Sequence, residues 1–296
     1  MKLATFRHDD RRKVGIVEEQ SSTISPFKLT LDESAGGIQL IIERQVTGLE
    51  LPAMGEAIAL ADVQLEAPIP RPRRNIFCVG KNYFDHAHEF ASSGFDSSAA
   101  QGSVPAHPIV FSKVPESVTA THTCIEYDPD VSDAIDYEVE LAVIIGKPGR
   151  GIAKQSALNH VWGYTIVNDV TARDLQGRYS QWLIGKSQDT FCPMGPYAVS
   201  KDAVDLADTT VRTWVNDELR QDSNTGLLIF DVPTIIATIS EGLTLLPGDI
   251  IATGTPAGVG IGYKPPKYLT HGDVVRTEIA GIGCLENTLK NRQLAS

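Results

Sequence analysis

A chain of 296 residues has room for one large domain, or for one domain with a smaller partner. Its 42% hydrophobic and 21% charged residues are the balance of a globular protein with a sizeable core. Thirty-seven acidic against twenty-six basic residues give a net charge of −11, which argues against a nucleic-acid partner but not against a small anion held by local cations or a metal.

No apolar run approaches the ~20 residues that a bilayer span requires. The start, from Met1 to Arg12, lacks the apolar stretch of a secretory signal, so a cytoplasmic protein with no membrane partner is expected. Cys78, Cys124, Cys192 and Cys284 lie far apart with no C-x-x-C pair, the pattern of reduced, mostly buried thiols.

In chain order, Val14–Val17 reads as a short strand, residues 35–37 as a turn and Ile38–Arg44 as a short helix. Pro70 and Pro72 then hold Ile69–Arg74 extended and block helix. We read this segment as a linker between a small N-terminal accessory domain, residues 1–70, and a catalytic domain, residues 71–296. Strands dominate beyond it: Asn75–Val79, Pro108–Ser112, Tyr137–Ile145, Trp162–Val167, Val211–Val215, Asp249–Thr253 and Asp273–Ile279. Helical pattern is sparser, at Val232–Ser240 and in short stretches near 83–91 and 171–183. Strands and helices do not alternate regularly, against a doubly wound or barrel α/β fold. Residues 91–105, small and polar, are expected to form a mobile loop or lid.

The stretch from Asp136 to Ile145 is the most informative. Side chains two apart on a strand share a face, so Glu138 and Glu140 project together while Tyr137, Val139 and Leu141 face the other way. Alternating Glu is commonly a solvated face. Here the all-apolar continuation, Ala142 to Ile145, reads as buried on both sides, and two like charges beside a buried strand need a cation or a partner. Asp169 ends the next strand, where it is either a third carboxylate or the N-cap of a following helix. Three carboxylates suit a hard cation such as Mg²⁺, and the lack of Cys or His at ligand spacing disfavours zinc.

Five segments occur in order: Asp136–Glu140, Asn168–Gln176, Gly185-Lys186, Cys192–Pro196 and Thr253–Gly260. Together they resemble the fumarylacetoacetate hydrolase family, from about residue 71 to the C-terminus. The resemblance implies an α+β fold built on a mixed β-sheet roll, a homodimer, and Mg²⁺ or Mn²⁺ bound by Glu138, Glu140 and Asp169. It moves Lys186 from the usual surface position of a lysine into the pocket, where its ammonium stabilises enolate or oxyanion charge.

Arg173 and Gln176, three apart on one helical face, either hold the substrate carboxylate or the metal's waters, or Arg173 pairs with a structural acid. The Thr253–Gly260 run lacks the G-K-[ST] ending of a phosphate loop, which leaves a tight turn or a backbone approach to a carboxylate, with Thr255 as a contact.

His86 and Glu89 share a helical face at i and i+3, whereas His88 points away. Hydrolase-type members resemble this spacing, with a His-Glu dyad on a lid helix, which implies that His86 activates water with Glu89 as its partner. The expected reaction is hydrolysis of a C–C bond in a small 2,4-dioxo acid of the acylpyruvate or fumarylpyruvate type, through a pyruvate enolate held by the metal and Lys186. The same electron sink serves the alternatives: isomerisation or decarboxylation of an unsaturated 2-oxo or 2-hydroxy diacid from aromatic catabolism, or decarboxylation of oxaloacetate. A ureidoglycolate lyase and a non-catalytic binding module are the remaining readings.

Overall fold

The Val139–Ile145 strand explains how the two halves of the molecule are held together. All seven residues are buried, and their alternation feeds two cores. Val139, Leu141, Val143 and Ile145 pack with Tyr164, Val211, Ile236 and Ile279. Ala142 and Ile144 face the opposite side, with Leu3, Val14, Ile38 and Ile41. A strand covered on both faces has no polar face to offer, hence its near-continuous apolar sequence. It begins at Val139, two residues later than the sequence pattern suggests, because Tyr137 and Glu138 connect it to the short Ile135–Asp136 strand.

The computed structural model describes residues 1–91 and 104–295. A twelve-stranded mixed sheet runs through the molecule and a five-stranded sheet packs against it, giving the α+β architecture expected. In the large sheet Val139–Ile145 lies between Val161–Asn168 and Ile250–Ala252, antiparallel to both. Ile250–Ala252 continues in parallel to Ile76–Gly80, which pairs with Ile109–Lys113 at the edge. These directions bring three segments to one end of the sheet: Glu138 before the central strand, Asp169 after the Val161–Asn168 strand, and Thr253–Thr255 after Ile250–Ala252.

Residues 1–70 extend the same sheet. Lys2–His8 pairs with Cys192–Ser200, Lys2 opposite Val199, and Arg11–Glu18 follows it in the order. The helix expected at 38–44 spans Gln39–Thr47 and places Ile41 and Ile42 in the core that also holds Ile144 and Ile250. Residues 67–75 carry neither strand nor helix, and the family of buried contacts continues on both sides of them.

Val232–Ser240 is helical as expected, with Asp231 capping the Thr234 amide and Ile235, Ile236 and Ile239 in the core. The helical region near 171–183 divides into Arg173–Arg178 and Leu183–Lys186. The expected loop over 91–105 lies, from 92 to 103, outside the described residues. All four cysteines are free; Cys78 and Cys192 are buried while Cys124 and Cys284 are partly exposed. Among the described residues no helix is long and apolar enough to cross a membrane.

Candidate metal and active site

Glu138, Glu140 and Asp169 meet at the sheet end, each buried, with one oxygen from each within 4.8 Å of the others. Register explains the convergence: Val139 lies opposite Asn168, so the residues that flank this pair come together. Asn168 accepts from the Glu138 amide at 2.9 Å, and the Asp169 amide donates to the Glu138 carbonyl at 2.8 Å. These two bonds fix both backbones. Asp169 is no helix cap; Ala172 holds that position before the Arg173–Arg178 helix.

Four carboxylates and three cations form the surrounding network. Lys186 is buried, and its ammonium reaches Glu138 at 2.8 Å and Asp169 at 2.7 Å. Arg173 reaches Glu138 at 2.6 Å and donates through Nε to Asp136 at 2.8 Å. Arg173 therefore pairs with a structural acid, one of the two sequence alternatives, while its side chain also lines the cavity. Gln176 accepts from its guanidinium at 3.1 Å, the i and i+3 relation the sequence suggests.

Lys113 has no counterpart among the sequence candidates. It is wholly buried, and its ammonium donates to Asp169 at 2.6 Å, to the Val170 carbonyl at 3.0 Å and to the Lys186 carbonyl.

The electrostatics separate Glu138 from Glu140. Burial alone would raise Glu138, but Lys186 and Arg173 hold it down to about 2. Burial lowers a lysine, yet Asp169 and Glu138 keep Lys186 above the usual range. Glu140 is pushed well above the usual carboxylate range by burial, then by Asp169 and Glu138. Among the described residues the one hydrogen bond to its carboxylate comes from the Gly254 amide, at 2.9 Å. Lys186 and Arg173 pair with Glu138, and Lys113 and Lys186 with Asp169, whereas no ion pair among the described residues reaches Glu140. A divalent cation fits this donor set: it relieves the crowding of like charges, and three hard oxygens suit Mg²⁺ or Mn²⁺.

Glu138 and Glu140 open onto a small cavity of about 20 Å³. His86, Arg173, Gln176, Lys186 and Thr255 line it with Glu138 and Glu140. Asp169 lies behind Lys186, and Glu89 lies beyond His86, each touching the lining residue in front of it. Lys81, Phe111 and Trp182, which sequence reasoning did not single out, complete the wall. Phe111 and Trp182 meet edge-on at 5.2 Å between ring centroids, and the Lys186 ammonium sits 5.0 Å from the Phe111 centroid.

Thr255 is oriented by Gln221, whose side-chain amide donates to it and to the Pro256 carbonyl, both at 2.8 Å. Gln221 also accepts from the Val139 amide at 3.2 Å, tying the two sheets together beside the site. Gly254 has φ +104° and packs so closely on Asn82 that a side chain there would clash, so the glycine allows its amide to reach Glu140. His86 and Glu89 pair at 3.3 Å on the Phe84–Ala91 helix, while His88 is exposed.

The fumarylacetoacetate hydrolase C-terminal domain model matches residues 75–290. Over 232 residues the chain is 50% identical to the oxaloacetate tautomerase YisK of Bacillus subtilis, covering 78% of this chain and 74% of that protein. A solved fumarylacetoacetate hydrolase from Exiguobacterium antarcticum is 43% identical, with a TM-score of 0.82 over 99% of this chain and 100% of that one. A 2-hydroxyhepta-2,4-diene-1,7-dioate isomerase from Mycobacterium marinum is 33% identical, with a TM-score of 0.76 over 99% of both chains. With the carboxylate triad and the mixed sheets that present it, the match shows that this chain belongs to the fumarylacetoacetate hydrolase family.

Proposed function

We propose that the protein is a metal-dependent enzyme that interconverts the keto and enol forms of a small 2-oxo diacid, with oxaloacetate as its substrate. The observation that carries this reading is the buried triad of Glu138, Glu140 and Asp169, paired with Lys186 and Arg173 beside a small cavity. An enolisation site needs a cationic centre for developing oxygen charge, a base for the carbon proton, and a clamp for carboxylate. The likeness to an oxaloacetate tautomerase and to a dienedioate isomerase favours this chemistry over the C–C hydrolysis expected first.

Mg²⁺ or Mn²⁺ bound by the triad would polarise the 2-oxo group and stabilise enolate charge. The chain's own groups supply the rest. Arg173, held by Asp136 and Gln176, is pre-oriented for a substrate carboxylate. An ammonium has three donors, and Glu138 and Asp169 take two from Lys186, so one remains in the described network for a substrate oxygen. Glu89 beside Nδ1 fixes that nitrogen as the protonated one and makes Nε2 of His86 the basic atom. His86 then takes a proton from C3 of the keto acid and passes it to the 2-oxygen to give the enol; the reverse restores the ketone.

A second reading keeps C–C hydrolysis of an acylpyruvate, because the His86–Glu89 pair has the make-up of a water-activating base. One panel separates the two readings. Keto–enol exchange of oxaloacetate, pyruvate release from oxaloacetate and cleavage of acylpyruvates are measured on one Mn²⁺-loaded preparation. Fast exchange with slow cleavage is expected. Acylpyruvate cleavage with exchange at the buffer rate would transfer the assignment to hydrolysis.

A further inference from the structure

The turn at Gly258–Gly262 touches the site from two sides. On one side the Gly258 amide donates to the Glu89 carboxylate, at 3.1 Å to Oε1 and 3.3 Å to Oε2. On the other, the Gly260 and Ile261 amides donate to Asp136 at 2.6 and 3.0 Å, and Asp136 holds Arg173. Tyr137 anchors the same turn through its hydroxyl, which donates to the Gly258 carbonyl at 2.9 Å. The turn is thereby fixed to the triad's own strand connection before Glu89 reaches it.

Gly262 makes room for this contact. A Cβ built there would overlap the Glu89 carboxylate and its Cγ, and no other residue is among its nearest neighbours. Gly262 does not adopt the left-handed backbone region, unlike Gly258 at φ +101°, so alanine is conformationally allowed at 262. Overlap with the flexible end of one side chain is cheap for the fold, but it displaces that end. Glu89 is also the partner of His86 Nδ1, so displacing it disorients the imidazole.

We propose that the Gly258 amide and the bare Cα of Gly262 form a seat for Glu89, and that Gly262 is a positioning residue for the His86 base. The seat also joins the two ends of the catalytic apparatus: the His86–Glu89 pair and the Asp136–Arg173 pair rest on one short turn. The kinetic part of this proposal rests on the enolisation reading above; the seat itself does not.

The test compares Gly262→Ala, Glu89→Ala and the double variant in the full chain, with Mn²⁺ loaded. In the seat account Gly262→Ala lowers kcat for oxaloacetate exchange by about 10–100-fold, the usual cost of losing an orienting partner. KM and Mn²⁺ affinity stay within about twofold, since Arg173 and the triad are untouched. Adding Gly262→Ala to Glu89→Ala costs nothing further, because the carboxylate it displaces is gone. Hydrogen exchange at the Gly258 amide accelerates in both single variants, a readout that needs no substrate.

Unchanged protection of that amide in Gly262→Ala overturns the seat, as does an equal loss of activity in the presence and absence of Glu89. Accelerated exchange in a protein that shows no turnover of oxaloacetate upholds the seat and removes the enolisation reading instead. Should Gly262→Ala fold poorly while the double variant folds, the clash with Glu89 is upheld directly by the melting curves.

Discussion

Cation binding by this protein is expected to expel a proton, and Glu140 is the source. Lys186 and Arg173 neutralise Glu138, and Lys113 and Lys186 neutralise Asp169, whereas Glu140 has the Gly254 amide. Its carboxyl is held well above the usual range by burial and by its two acidic neighbours, so the metal-free protein keeps a proton there at pH values where an ordinary carboxyl has lost it. A divalent cation must displace it, and affinity should rise by up to about tenfold per pH unit below the raised value.

The sign for stability follows from the same group. A carboxyl raised on folding binds more protons in the native state than in the unfolded one, so metal-free stability falls as pH rises from the usual carboxylate range through the raised value. The slope is at most about 1.4 kcal/mol per pH unit from this one group. Glu138, held at about 2, acts oppositely: its contribution is complete above the usual carboxylate range and is lost only in strong acid.

Calorimetric titration of Mn²⁺ in buffers of different ionisation enthalpy reads the released proton directly. Melting curves in EDTA from the usual carboxylate range upward read the stability slope against Glu140→Gln, which should lack it. Heats that do not depend on the buffer, with equal pH slopes in wild type and Glu140→Gln, would refute the reasoning.

Lys113→Met should destabilise the protein by about 3–5 kcal/mol, because Asp169 loses a buried partner and two carbonyls lose their donor. Urea unfolding measures this, and a change below about 1 kcal/mol would contradict the structural weight given to Lys113. Asp136→Asn should lower kcat/KM by about 10–150-fold, the value of one charged hydrogen bond, chiefly through KM as Arg173 loses its orientation. Mn²⁺ affinity of that variant should hold, because Asp136 is outside the triad; a parallel loss of metal binding would show the two functions to be inseparable.

Local periodicity made part of this site legible. Glu138 and Glu140 are two apart beside a strand, and Arg173 and Gln176 are three apart on a helix, so each pair meets as its spacing requires. Asp169 and Lys186 entered through the family pattern, and the structure brings them together with Glu138.

Lys113, Asp136 and Gln221 escaped because their partners are remote in sequence. Lys113 and Asp169 are 56 residues apart, and Gln221 and Val139 are 82 apart. An isolated lysine or glutamine in a sequence looks like a surface residue, and only the pairing of distant strands reveals a buried hub. The first seventy residues were opaque for a related reason. Their place depends on Lys2 pairing with Val199, and nothing in their own composition specifies that register.

The most direct test of the account is keto–enol exchange of oxaloacetate, followed through the enol's ultraviolet absorbance in EDTA-stripped protein before and after Mn²⁺ is restored. The wild type should fall to the buffer rate when stripped and recover when reloaded, while Asp169→Asn and Glu138→Gln should remain at the buffer rate in both states. Full exchange activity in the stripped wild type, or in either variant, would contradict a metal held by these carboxylates as the enolising centre.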